Sequence, residues 1–94
     1  MIKSVIKRDG RVVLYDQSKI TAAIMKALEA AKEGDAAEAD RIATRAARQL
    51  EMDCGEESPQ IEQIQDAVET ALMETGHDAA AKQYILYRAN RTRI

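Results

Sequence analysis

Three cations, Lys7, Arg8 and Arg11, surround an Asp9-Gly10 step in the stretch KRDGR near the start of the chain. Lys19 follows shortly after, and Arg88, Arg91 and Arg93 gather near the far end. Converging lysines and arginines bind phosphate, the ammonium as a compact charge and the guanidinium as a planar fork of donors. Two of these placements run against local preference. Like charges facing one another across a strand pair destabilise it, and a cation in the first turn of a helix opposes the positive end of the helix dipole. One bound polyphosphate would offset both costs, with backbone donors at a helix start adding to the cations. Taken singly, each feature has an ordinary explanation as a solvated side chain, and arginines near a helix carboxyl end favour the dipole anyway. The pattern points to binding rather than turnover, because neither G-x-x-x-x-G-K-[ST] nor G-x-G-x-x-G occurs.

Other chemistry is poorly supplied. A single cysteine, Cys54, forms no internal disulfide, and with one histidine, His77, it makes no structural zinc site. The neighbours Asp53, Glu56 and Glu57 disfavour a thiolate at Cys54. His77, just after Gly76, reads as a helix-boundary residue. No nucleophile–base arrangement and no carboxylate pair stands out, so a non-catalytic domain is expected.

The elements that must hold the cations can be read from periodicity. Ile2–Arg8 and Arg11–Tyr15 are short β-prone runs joined by Asp9-Gly10, a two-residue type I′ hairpin signal. That register sets Arg8 opposite Arg11, Lys7 opposite Val12 and Ile6 opposite Val13, with Lys7 on the face of Val5. Asp16 caps a first helix from about Gln17 to Lys32, which stops near Gly34. Its apolar stripe is Ile20, Ala23, Ile24, Ala27 and Ala31. An alanine-rich second helix, from about Ala36 to Glu51, carries Ala39, Ile42, Ala43, Ala46 and Leu50 on one stripe, and CGEES is a loop. Ser58-Pro59 begins a third helix, with Ile61, Ile64, Val68, Ala71 and Leu72 inward and Gly76 at its end. Asp78 caps a fourth from about Ala79, with Ala81, Tyr84, Ile85 and Leu86 as buried candidates. The expected fold is α+β, a hairpin packed on four helices.

Ninety-four residues suit one small domain, 1–94, with a single modest core. The net charge of −2 is unevenly spread: +4 over residues 1–26, −9 over 27–76 and +3 over 77–94. Two basic ends brought together would present a positive site to an anion. With no Trp or Phe and three Tyr, stacking platforms are few, which disfavours nucleic acid as a partner. No apolar run is long enough for a membrane span and no secretory signal opens the chain, so a cytoplasmic address is expected. YRANRTRI still reads as helix at the end, as in the N-terminal fragment of a longer protein.

The segments VIKRDGRVVLYDQSKI, IEQIQDAVETALMETG and AAKQYILYRANRTRI, in this order and spacing, resemble the ATP-cone domain. The resemblance covers essentially the whole chain, although the second helix matches only in character. It implies a small sheet on a four-helix bundle and an allosteric module of ribonucleotide reductases, with ATP or dATP as effector. Mg²⁺ would be held mainly by the phosphates. The closing YILYRANRTRI is most like the anaerobic (glycyl-radical) ribonucleoside-triphosphate reductase, with the adenosylcobalamin class next. Implied partners are a catalytic domain in the same chain and further copies in a homo-oligomer. The resemblance assigns Lys7, Arg8 and Lys19 to the phosphates and Val5, Tyr15, Asp16 and Ile20 to the surroundings of base and ribose. It puts Gln65 and Ile61 on the pocket side of the third helix, and Arg88 and Arg91 at basic positions of the last. Leu14 departs from the proline that many cones have before the aromatic. Two alternatives accompany this reading. A transcriptional regulator's cone would follow a cysteine-rich zinc ribbon, which this sequence lacks, and a degenerate cone would serve as an oligomerisation module. A flat strand would aim Lys7 and Arg8 at opposite faces. Either twist lets both reach one triphosphate, or Lys7 binds directly and Arg8 works from the rim.

Overall fold

The computed structural model describes residues 2–92, with side chains through residue 90. Its order is β1 (Ser4–Ile6), β2 (Val12–Leu14), α1 (Gln17–Ala31), α2 (Ala36–Cys54), α3 (Ile61–Glu74) and α4 (Asp78–Thr92). The expected α+β class, a hairpin followed by four helices, is what forms.

The hairpin register differs from the expected one by a residue. Ser4 lies opposite Leu14, Val5 opposite Val13 and Ile6 opposite Val12. The Lys7 N–H donates to the Arg11 carbonyl at 2.7 Å, and the Gly10 N–H to the Lys7 carbonyl at 2.9 Å. The loop is therefore the three residues Arg8, Asp9 and Gly10. The reason lies in Asp9. Its carboxylate accepts from the Arg11 N–H at 3.0 Å and from the Arg11 Nε at 2.7 Å, closing an Asx turn. A type I′ turn needs positive φ at two residues, whereas only Gly10 (φ +89°) supplies it here. Lys7 and Arg11 thus face one another, on the same side of the sheet as Val5 and Val13.

The helices close into a ring: α1 packs on α2 and α4, and α3 on α2 and α4. The small residues Ala39, Ala43 and Ala46 let these helices approach closely around Ile24, Leu28, Ile42, Val68, Leu72 and Tyr84. The α2 stripe is buried as its periodicity requires. On α4 the expected inward face was too wide. Ala80, Ala81 and Tyr84 are buried, but Ile85 and Leu86 are exposed, because the α4 seam runs through Ala80, Ala81, Tyr84 and Tyr87, which are i, i+1, i+4 and i+7. A second cluster of Ile2, Val5, Leu50 and Ile64, flanked by Val13, Tyr15 and Ile61, fastens the hairpin to α2 and α3.

Element ends also shift. Helix α1 stops at Ala31, where Lys32 turns left-handed (φ 56°) and its N–H reaches the Leu28 and Glu29 carbonyls. Gly34 is needed for proximity instead: a Cβ there would lie 3.2 Å from the Glu38 side chain and 3.3 Å from that of Leu28. Helix α2 runs on to Cys54, past the expected Glu51. Helix α3 begins at Ile61 rather than at Ser58-Pro59. Gln60 and Gln63 form a reciprocal capping box. Pro59 is extended, and its carbonyl accepts from the Ile6 N–H at 2.9 Å. Ile6 and Gln60 form a parallel bridge, and Ser4 and Ser58 share a hydroxyl hydrogen bond. The segment before α3 therefore docks along β1 through a single isolated bridge. At the other end of the bundle, Glu33 accepts from the Ala80 N–H at 2.7 Å, satisfying a donor in the first turn of α4. His77 stands at the α4 boundary, buried, between the Thr75 hydroxyl (2.8 Å) and Glu38 (3.1 Å).

Candidate nucleotide site

The hairpin and three helices each bring two to four residues to a common cleft of about 490 Å³. The hairpin contributes Lys7, Arg8 and Arg11, with Asp9; α1 contributes Lys19, Ile20 and Ala23; α3 contributes Ile61, Ile64 and Gln65; α4 contributes Tyr84 and Tyr87. On each helix the spacing is i, i+3 or i+4, so a single face is presented. Four cations stand against one carboxylate. The floor is apolar, and Tyr84 and Tyr87 lie with ring centroids 5.9 Å apart. A volume within the range of about 300–1,000 Å³ suits a small ligand, and such a lining suits one with an anionic end and a planar apolar end.

The cations are not equivalent. Arg11 is bonded to Asp9, whose carboxyl is held below the usual carboxylate range by the backbone and side-chain bonds from Arg11. Arg8 donates to Glu62 Oε1 at 2.6 Å and to Gln65 Oε1 at 2.9 Å. Lys7 and Lys19 have no ion pair among the described residues. Lys19 is presented by an α1 start whose N-cap, Asp16, accepts from the Ser18 N–H at 3.0 Å, with no acidic side chain in the first turn. The bonds from Ser18 and the charge of Lys19 hold the Asp16 carboxyl below its usual range. Because Arg8 belongs to the loop, strand alternation does not govern it, and it reaches the cleft of Lys7 from the rim. Gln65 is nearly buried (8% exposed), the one strongly polar side chain on the inner face of α3.

Lys7, Arg8, Lys19, Ile20, Ile61 and Gln65 are the expected site residues that the structure brings together. Val5 lies beneath, in the hairpin core. Tyr15 points toward α2, hydrogen-bonded to Gln17, and burial and then Glu51 push its phenol up. Arg88 donates to Asp66 at 2.8 Å and Glu69 at 2.6 Å, tying α4 to α3 outside the cleft lining. The Arg91 side chain lies outside the described residues, as does Arg93. Sequence reasoning missed Ala23, Ile64, Tyr84 and Tyr87 as lining residues. The signal was present in the i+4 and i+3 steps from Lys19, Ile61 and Tyr84.

A larger groove, about 980 Å³, runs between α2 and α3. Its lining mixes signs, with Arg41 bonded to Glu38 and Arg45 to Glu74, so it offers no comparable convergence of cations. Among the described residues no group of three or more His, Cys, Asp or Glu is arranged to hold a metal ion, and no helix is long and apolar enough to cross a membrane.

The chain is 42% identical to the vitamin B12-dependent ribonucleoside-diphosphate reductase of Thermoplasma acidophilum, over 100% of its own length and 12% of the relative's. It is 40% identical to the anaerobic ribonucleoside-triphosphate reductase of Escherichia coli (97% and 12%) and 38% to the ribonucleoside-diphosphate reductase subunit alpha of Chlamydia muridarum (97% and 10%). The chain thus spans about a tenth of the length of these relatives. Residues 3–93 match the ATP cone domain, essentially every described element from the hairpin to α4. With the cation-lined cleft framed by those same elements, the chain belongs to the ATP-cone family.

Proposed function

We propose that this domain binds ATP and dATP in the hairpin–α1–α3–α4 cleft and serves as the allosteric regulatory unit of a ribonucleotide reductase. The observation that carries the reading is the convergence of Lys7, Arg8, Arg11 and Lys19 over a floor containing two tyrosines. The triphosphate is met by Lys7 and Lys19, with Arg8 at the rim, and Gln65 offers an amide beside them. The base lies toward Ile20, Ala23 and the tyrosines. Val5 and Asp16 act from behind, anchoring the hairpin and the α1 start, while Tyr15 and Arg88 brace the elements. Any Mg²⁺ travels on the phosphates, since Asp9, the cleft's carboxylate, is engaged by Arg11. The domain itself performs no chemistry. Its partners are the catalytic part of the same cytoplasmic polypeptide and, through that part, further copies of the chain. Two unpaired lysines left facing the cleft favour this reading over a cone retained only for packing.

Isothermal titration of the domain with ATP and dATP, repeated on Lys7→Ala and Lys19→Ala, tests it. Saturable heat that either substitution weakens is expected. No heat from folded protein at millimolar nucleotide overturns the reading.

A further inference from the structure

Arg8 is the one cleft cation held by both a carboxylate and an amide: Nη1 bonds Glu62 and Nη2 bonds Gln65. It stands between two spaces, the cleft and a smaller recess of about 270 Å³ whose walls include Gln60, Ile61 and Glu62. Arg8 and Glu62 are both substantially exposed, with side-chain exposures of 37% and 58%, so their pairing is weak and exchangeable. Glu62 is also the acidic residue in the first turn of α3, where the helix dipole favours a carboxylate whether or not a cation is bound to it. Losing Arg8 would therefore leave Glu62 acceptably placed.

We propose that Glu62 is an internal competitor of the ligand's phosphate for Arg8, and so an affinity-setting residue of this site; the proposal rests on the nucleotide reading above. Lys7 and Lys19, without ion-pair partners among the described residues, take the phosphates first. Arg8 then exchanges the Glu62 carboxylate for a phosphate oxygen while Gln65, nearly buried, keeps the guanidinium oriented. No covalent bond changes; one charge-assisted hydrogen bond replaces another.

The test is titration of wild type, Glu62→Gln, Arg8→Gln and the double variant with ATP and with inorganic tripolyphosphate, with and without magnesium. Glu62→Gln is expected to bind both probes about two- to five-fold more tightly, the range of an exposed ion pair removed from competition. Glu62→Ala should gain at least as much, because glutamine can still accept from Arg8. In the Arg8→Gln background the gain should largely vanish. Unchanged or weaker binding by Glu62→Gln overturns the proposal, as does an equal gain with and without Arg8, which would mark simple repulsion. If wild type binds neither probe, the nucleotide reading itself fails and this proposal with it, a result distinct from the other two.

Discussion

Two lysines and two arginines line one cleft, yet among the described residues carboxylates hold only the arginines. A phosphate meeting Lys7 or Lys19 displaces water and no protein partner, whereas at Arg8 it must compete with Glu62. Charge-assisted hydrogen bonds contribute about 1.5–3 kcal/mol each. Lys7→Ala and Lys19→Ala should therefore each weaken ATP binding by roughly ten-fold or more in the titration described above. Their unfolding midpoints should barely move, because neither ammonium is engaged in the fold. Arg8, Arg11 and Lys19 were legible as single residues because each was expected to break a local rule of strand pairing or helix dipoles, whereas Lys7 was marked by its place on the face of Val5 and by the resemblance. The carboxylates that partner Arg8 and Arg88 were not, because Glu62, Asp66 and Glu69 look in the sequence like an ordinary solvated helix face. Tyr84 was legible as a core candidate. It does sit in the core, and burial first, then its carboxylate and Tyr87 neighbours against the opposing effect of Arg88, push its phenol up to about 12. In the unfolded chain a tyrosine ionises near pH 10, so the native state holds this proton more tightly. Stability should then be intact below about pH 10 and fall as pH rises toward 12, by at most about 1.4 kcal/mol per unit from this group. Denaturant unfolding at pH 9, 10 and 11 should show a shallower fall for Tyr84→Phe than for wild type. Identical slopes would remove Tyr84 as the cause.

At the scale of elements, the hairpin shows how one side chain selects a turn. An Asp-Gly pair admits both a two-residue and a three-residue loop. The Asp9 bonds to Arg11 favour the longer one, and the one-residue slip changes which residues oppose each other. The slip puts Lys7 and Arg11 together on the cleft side and frees Arg8 from strand alternation. Gly10 at φ +89° has open space around its Cα, so a methyl group there meets no neighbour and strains only the backbone. Gly10→Ala should destabilise the domain by about 1–3 kcal/mol. It should also lower ATP affinity several-fold, because Arg8 loses its approach. Asn at the same position should cost less on both counts. Equal stability of Gly10→Ala and wild type, measured by urea unfolding, would contradict the three-residue loop. The start of α3 was misread for a related reason. Ser-Pro is a good helix start locally, but tertiary pairing of Pro59 and Gln60 with Ile6 recruits those residues into an extended segment and leaves capping to Gln60 and Gln63. That docking fixes the height of Ile61 and Gln65 against the hairpin, which is what sets the cleft.

For the molecule as a whole, the seams of α2 and α3 were legible because their apolar residues recur at strict helical spacing, whereas the expected α4 face was too wide. The ring of four helices brings α1 beside α4 and α3 beside both the hairpin and α4. The basic hairpin and the start of α1 thereby meet the tyrosine face of α4 at one cleft. The alternative to this site is the larger α2–α3 groove, where the signs are mixed and Arg41 and Arg45 are held by Glu38 and Glu74. Backbone amide NMR of the labelled domain during addition of ATP separates the two in one spectrum series. Shifts concentrated at Lys7–Arg11, Lys19–Ala23, Ile61–Gln65 and Tyr84–Tyr87 are the predicted result. Shifts confined to Arg41–Met52 and Thr70–Thr75, or none at saturating nucleotide, would contradict it.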